Sequence, residues 1–373
     1  GEVVEKRRLV SLYDFENRKR IFPAVDIRQK FCLLTLGRAE TAEFAFFATR
    51  VEDLRDGRRR FRLTAEDFRF INPNTRTCPV FRTEYEAELA RAIYSRYRIL
   101  CAVDPEFDAG WGIRLRRMFD KSTDSSLLRP NVARISTCSC LSRDAGDDDL
   151  LPVFEGDYGY HYDHRFGTYS DGLVNTTDDW KSNPNNVVIT EFVVSRRDFE
   201  RKLASMSVSN DQCTTVFLGF RRVAGFNNER TVIACIFPWL PSTYGWILTL
   251  GANARDLSVL CGLYNSLVFD WLLRSKLSQP SIPQNVIEQV AVPRRDALTT
   301  EDYDFIVPRV LELTYTAEDL RPWAEDLGYD GDPFRWDPER RAVLRAELDA
   351  YYAHLYGLTR DELRYILDPA DVM

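Results

Sequence analysis

The stretch RLVSLYDFENRKRIFPAVDIRQKFCLLTLGRAETAEFAFFATR, residues 8–50, decides how the fold begins. Its three short runs, LVSLYDF, KFCLLTLG and EFAFFAT, are rich in aromatic and β-branched residues and are separated by polar punctuation. They read as three strands of one sheet. The turn ENRKRIFP between the first two gathers Arg18, Lys19 and Arg20, and clustered cations of this kind hold phosphates through counterion release. Arg58, Arg59 and Arg60 form a second basic cluster that reads more simply as a solvated loop. Ahead of Leu9 the polar opening leads into the first strand with no helix before it, as a piece of a longer protein would.

Outward from that stretch, Leu89, Ile93 and Tyr97 recur at helical spacing and predict a helix over 84–98. DAGDDD at 144–149 and the region from Gly167 to Gly172 read as surface loops. Between Val187 and Pro238 the pattern is strand (VVITEFVVS), short charged helix, strand (VFLGFRRV), turn (AGFNNE) and strand (TVIACIF). Apolar residues at 257, 260, 264, 268, 271 and 272 then predict one largely buried helix over 255–277. Two helices close the chain, one from Pro338 to Tyr356 with Gly357 as its C-cap, the other opening on the capping box Thr359 to Glu362. The expected fold class is mixed α/β.

With 373 residues the chain has room for two or three domains. Its net charge of −7 is unevenly spread: the balance is +6 over 1–130, −2 over 131–295 and −11 over 296–373. These segments are the expected domains, and the balance argues for DNA contact upstream and against it in the tail. No apolar run reaches the ~20 residues of a membrane helix and no signal peptide is evident, so no membrane partner and a cytoplasmic location are expected. Eight cysteines lie mostly in apolar stretches, as buried thiols of a reducing compartment do. The one metal candidate, Cys138 and Cys140 with His161 and His164, spaces its cysteines more tightly than zinc fingers do, and no metal is expected there.

Several long phrases carry a resemblance: DFENRKRIFPAVDIRQKFCLLTLG (14–37), INPNTRTCPVFRTEYEAELARAIY (71–94), LPVFEGDYGYHYDHRFGTY (151–169), FRRVAGFNNERTVIACIFP (220–238), LYNSLVFDWLLRSKLSQPSIPQNVIEQVAVP (263–293) and the run from Pro308 to Asp368. In order, they resemble the C-terminal part of large bacterial adenine-specific DNA methyltransferases of restriction-modification and phage-defence systems. The resemblance implies terminal strands of a Rossmann-like methyltransferase sheet and a connecting segment in 1–130. It implies an α/β target-recognition domain in 131–295 and an acidic helical region in 296–373. The parent would use S-adenosylmethionine, with double-stranded DNA and the N-terminal catalytic methyltransferase domain or subunit as partners. The family's Asn-Pro-Pro-aromatic catalytic loop and its glycine-rich cofactor loop do not occur here, and Asn72-Pro73-Asn74-Thr75 reads as a turn. The chain alone is therefore expected to hold no cofactor, no catalytic residue and no methyl-transfer activity.

Where the family usually has Glu-Gly-Lys-Met before Asp-His-Arg, this chain has Glu155-Gly156-Asp157-Tyr158, which removes one cation that could meet DNA. His164 and Arg165 read as a junction loop that places Arg165 near DNA. Asn228 and Arg230 have side chains suited to base edges, but a phrase shared by relatives with different targets reads better as a structural turn. Lys181, Asn183, Asn185, Asn186, Arg196 and Arg197, which lie outside the shared phrases, and the loop from Lys276 to Gln284 are the candidates for readout. A scaffold that docks a separate catalytic subunit is the alternative reading, marked by an apolar exposed edge on the 8–50 strands. A nuclease has no convincing carboxylate and lysine cluster behind it.

Overall fold

The computed structural model describes residues 2–138, 149–206, 215–223, 225, 228–277 and 281–368. The three runs of the opening stretch are strands Leu9–Glu16, Lys30–Leu36 and Thr41–Ala48, joined by Phe61–Thr64. One helical turn, Glu2–Glu5, precedes them, where the polar opening suggests none. Spatial order is Lys30–Leu36, Leu9–Glu16, Thr41–Ala48, Phe61–Thr64, with Leu9–Glu16 antiparallel to the first neighbour and parallel to the second. Phe44, Phe46 and Phe61 stack on one face, and Phe81 meets Phe61 edge-on at 5.5 Å. Helices Ala65–Ile71 and Glu84–Arg96 cover that face, the first started by a capping box between Thr64 and Asp67. The outer strand Lys30–Leu36 is different: Leu33, Leu34 and Leu36 are 54, 55 and 55% exposed, so it is apolar yet bare.

The central sheet is antiparallel throughout, in the order Ala234–Pro238, Val216–Arg221, Trp246–Leu250, Arg114–Arg116. Its middle strands are buried on both faces because they divide two cores. Val216, Leu218 and Phe220 face the larger core, and Phe217 between them faces the smaller, as strand alternation requires. A three-stranded sheet, Arg129–Pro130, Phe192–Ser195 and Leu150–Pro152, closes the smaller core with helix Arg196–Ser205. The larger core draws on residues from Val4 to Tyr356, so it runs through all three charge segments.

The single helix expected over 255–277 is two, Ala254–Tyr264 and Leu267–Arg274, bent by 61°. Asn265 makes the break, donating to the carbonyls of Cys261 and Ala234 and accepting from the Ala234 amide, and Ser266 caps the second helix. Among the described residues no single helix is long and apolar enough to cross a membrane, and this bent pair is almost wholly buried in the core. Helix Thr300–Thr314, absent from the sequence reading, packs against Ala254–Tyr264, and Pro338–Leu355 follows as expected, with Gly357 at φ 61° as its stop. At Gly262 an added Cβ would lie 2.5 Å from the Tyr352 hydroxyl, so glycine permits the close approach of these helices.

The core is laced across long stretches of chain. Tyr94 Oη donates to the Gln289 carbonyl, Tyr97 Oη to that of Leu355, and Thr83 Oγ1 meets Tyr365 Oη at 3.0 Å.

Candidate nucleic-acid interface

The sequence-selected cations separate into two populations. The first is inside the protein. Arg165 is 0% exposed; Nη1 donates to the carbonyls of Asn183 and Asn186, and Nη2 to those of Lys181 and Thr316. Burial lowers its pKa while Asp319 and Asp163 oppose that shift. Beside it His164 Nε2 meets Asp319 Oδ1 at 2.8 Å, and the Thr137 hydroxyl donates to Oδ2 of the same carboxylate at 2.6 Å. Burial raises the Asp319 pKa, but His164, Thr137 and Arg165 outweigh it and hold the carboxyl below its usual value. Lys181 Nζ donates to Asp163 Oδ2 at 2.6 Å and lies 4.3 Å from the Trp336 ring centroid.

Arg230 is buried too, paired with Asp349 and donating to the Asn265 carbonyl. The amides of Thr231 and Val232 beside it donate to Asp270, so the Asn228 to Thr231 segment is an anchored turn, with Asn228 exposed at its edge. Lys276 Nζ donates to the Ile71 carbonyl and to Asn72 Oδ1, 4.6 Å from the Tyr94 ring centroid. Burial holds its pKa well below the usual lysine value. His164, Arg165, Lys181, Arg230 and Lys276 are thus committed to partners inside the fold, and for Arg230 this is the structural turn expected of its phrase. Four carbonyls around one guanidinium, or a carboxylate within 3 Å of an ammonium, already occupy the donors a phosphate would need.

The second population faces solvent. Arg18 pairs with Glu16 at 2.5 Å, whereas Lys19 and Arg20 make no ion pair with a described residue. Their loop is held from within: the buried Asn17 side chain donates to the carbonyls of Phe22, Val25 and Asp26 and accepts from the Phe22 amide. Arg20 takes a left-handed conformation, φ 55°, with its amide on the Asn17 carbonyl, and Phe22 beyond it is 48% exposed. Asn185 and Arg197 are also exposed, at a turn and on the first turn of helix Arg196–Ser205. Arg196 is half-buried, with a buried Nε that has no described partner. The Arg58–Arg60 cluster is neutralised by Asp56, Asp53 and Glu43.

The suggested metal set is not assembled among the described residues. His161 bonds Asn265 and His164 bonds Asp319, and Cys140 lies outside the described residues. Burial pushes His161 down to about 3. Sequence reading passed over Arg134, an exposed cation in a turn of the same build as that around Arg20; the signal was an asparagine three residues before an arginine in both places.

No family model and no curated protein matches the chain. Solved structures do. The type IIG restriction endonuclease BpuSI is similar over 100% of this chain and 45% of its own, at 10% identity and a TM-score of 0.33. The type IIL restriction-modification enzyme MmeI, solved in complex with DNA, is similar over 96% of this chain and 45% of its own, at 10% identity and a TM-score of 0.41. The chain spans less than half the length of either, and a likeness this distant carries no functional argument.

Proposed function

We propose that this chain recognises double-stranded DNA for a restriction-modification enzyme whose S-adenosylmethionine-dependent adenine methylation is carried out by residues outside it. The observation that carries the reading is the Asn17-anchored tip, where Lys19 and Arg20 stand exposed beside Phe22 on a loop whose backbone is already ordered. A preformed loop binds without the entropy cost of ordering it, and exposed cations release counterions from phosphate. The sequence resemblance supports the same reading, and the absence of an Asn-Pro-Pro-aromatic sequence leaves no methyl-transfer step to derive here. Titration of the full chain with a duplex across a salt series tests it. Affinity should fall steeply with salt, and K19A/R20A should weaken binding and make the log–log slope shallower by about 0.9 for each phosphate no longer neutralised. A folded chain with no salt-sensitive affinity for duplex DNA would sink the proposal.

The bare, leucine-bearing edge strand Lys30–Leu36 favours a second role, docking of the catalytic methyltransferase domain or subunit. A Leu34→Lys variant should then lose association with that partner in a pull-down while keeping DNA affinity.

A further inference from the structure

The device that holds Arg20 recurs once more with its cation free, far along the sequence. Asn131 Nδ2 donates to the carbonyls of Ile135, at 2.7 Å, and Thr190, at 3.0 Å, and Asn131 Oδ1 accepts from the Ile135 amide at 2.8 Å. The Arg134 amide closes the turn on the Asn131 carbonyl, and Arg134 sits at φ 52°. Asn72 makes the third example, with Arg76 at φ 49°, but there the guanidinium is paired with Glu5. Arg134 and the neighbouring Arg129 are exposed and make no ion pair with a described residue, and Val132 at the turn's crest is 89% exposed.

Three facts make this turn more than a loop. Its backbone is fixed to the segment Val188–Glu191, which accepts from the Asn131 and Thr137 amides. The other flank of that segment accepts from the Tyr169 amide, so the turn and the hairpin Gly167–Asn175 are built on one shared segment. An arginine at positive φ is strained where glycine would not be, and none of the four hydrogen bonds described for the turn uses the guanidinium. Among the described residues the guanidinium has no part in holding the turn, and the exposed side chain keeps its donor fork for an outside partner.

We propose that the Asn131–Arg134 turn is a second DNA-contacting element, in which Arg134 and Arg129 meet the duplex and Val132 packs against it. This deepens the DNA-recognition reading and rests on it. Arginine forks suit guanine edges and phosphates, and an exposed aliphatic side chain suits a thymine methyl. Glycine at 134 removes the guanidinium while relieving the backbone, so a damaged fold and a weakened grip on DNA are told apart.

The experiment compares the full chain with its Arg134→Gly and Val132→Glu variants by fluorescence anisotropy on a mixed-sequence duplex several helical turns long, with melting curves alongside. Expected are an unchanged or higher Tm for Arg134→Gly and a loss of affinity of roughly 5- to 100-fold. Val132→Glu, which places a carboxylate at the crest, should weaken binding in the same range. Wild-type affinity in both variants, with a wild-type chain that binds DNA, overturns this inference and leaves the DNA-recognition reading intact. A wild-type chain that binds no duplex overturns both.

Discussion

The cations around Arg165 and those around Arg20 are the same chemical groups on loops, yet one set is core and the other is surface. The difference lies in what the backbone offers. Around Arg165, the turn at 181–186 and the Thr316 segment aim four carbonyls at one point, and a guanidinium is the group that can satisfy them together. Around Arg20 the carbonyls of the loop are taken by the Asn17 amide, which leaves the arginine nothing to bind inside. A buried amide frees a cation for the outside; an unfilled ring of carbonyls draws one in.

The largest test of this contrast is Arg165→Ala. Removing it strands carbonyls and leaves the buried Asp163 and Asp319 with less positive charge, so stability should fall by about 3–5 kcal/mol in urea titration. A drop under about 1 kcal/mol would mean the buried ring is dispensable. Next comes acid sensitivity. His161 is buried neutral: Asn265 Nδ2 already donates to two carbonyls, so the Asn265 Oδ1 contact requires the His161 proton on Nδ1, leaving the buried Nε2 without a partner. Its folded pKa, about 3, lies below the unfolded value near 6.5, so the unfolded chain binds the extra proton. Stability from this group is therefore intact above about pH 6.5 and is lost toward pH 3, at up to about 1.4 kcal/mol per unit. His161→Gln should show a smaller loss between pH 7 and pH 5 than the wild type; an equal loss assigns the acid sensitivity elsewhere.

The smallest expected effect is on the exposed side. Arg20→Gly relieves the left-handed backbone, at the cost of glycine's greater freedom when unfolded, and should change stability by no more than about 1 kcal/mol. Its DNA affinity should fall all the same. A variant that melts well below the wild type would show that the guanidinium holds the tip together, as Arg165 holds its own loop, and would erase the contrast.

Local pattern made much of this fold legible. The three opening strands, the helix Glu84–Arg96 and the capping box Thr359 to Glu362 lie where periodicity and capping chemistry put them. Helix Thr300–Thr314 was hidden by Pro308 in its interior, tolerated here inside a helix packed on the core. Strand Trp246–Leu250 is buried on both faces and shows no polar alternation to mark it. The break at Asn265 escaped notice because an apolar pattern continues through it, and only the side chain's reach to Ala234 reveals the bend. For the candidate interface, residue type alone does not separate buried cations from exposed ones. Arg165 and Arg20 differ through partners contributed by residues distant in sequence, such as Thr316, 151 positions away from Arg165.

The cross-chain tyrosines impose an order in time on this molecule. Tyr94 and Tyr97, at the end of helix Glu84–Arg96, bond the carbonyls of Gln289 and Leu355, residues made long after the helix itself. Tyr365 trails Thr83 by 282 residues, which at about 5–20 residues per second is roughly a quarter of a minute to a minute of synthesis. Through that interval the N-terminal sheet carries a half-covered helix on one face and a bare leucine strand at its edge. A partial chain lacks these anchors throughout that interval, when exposed apolar surface favours misassociation.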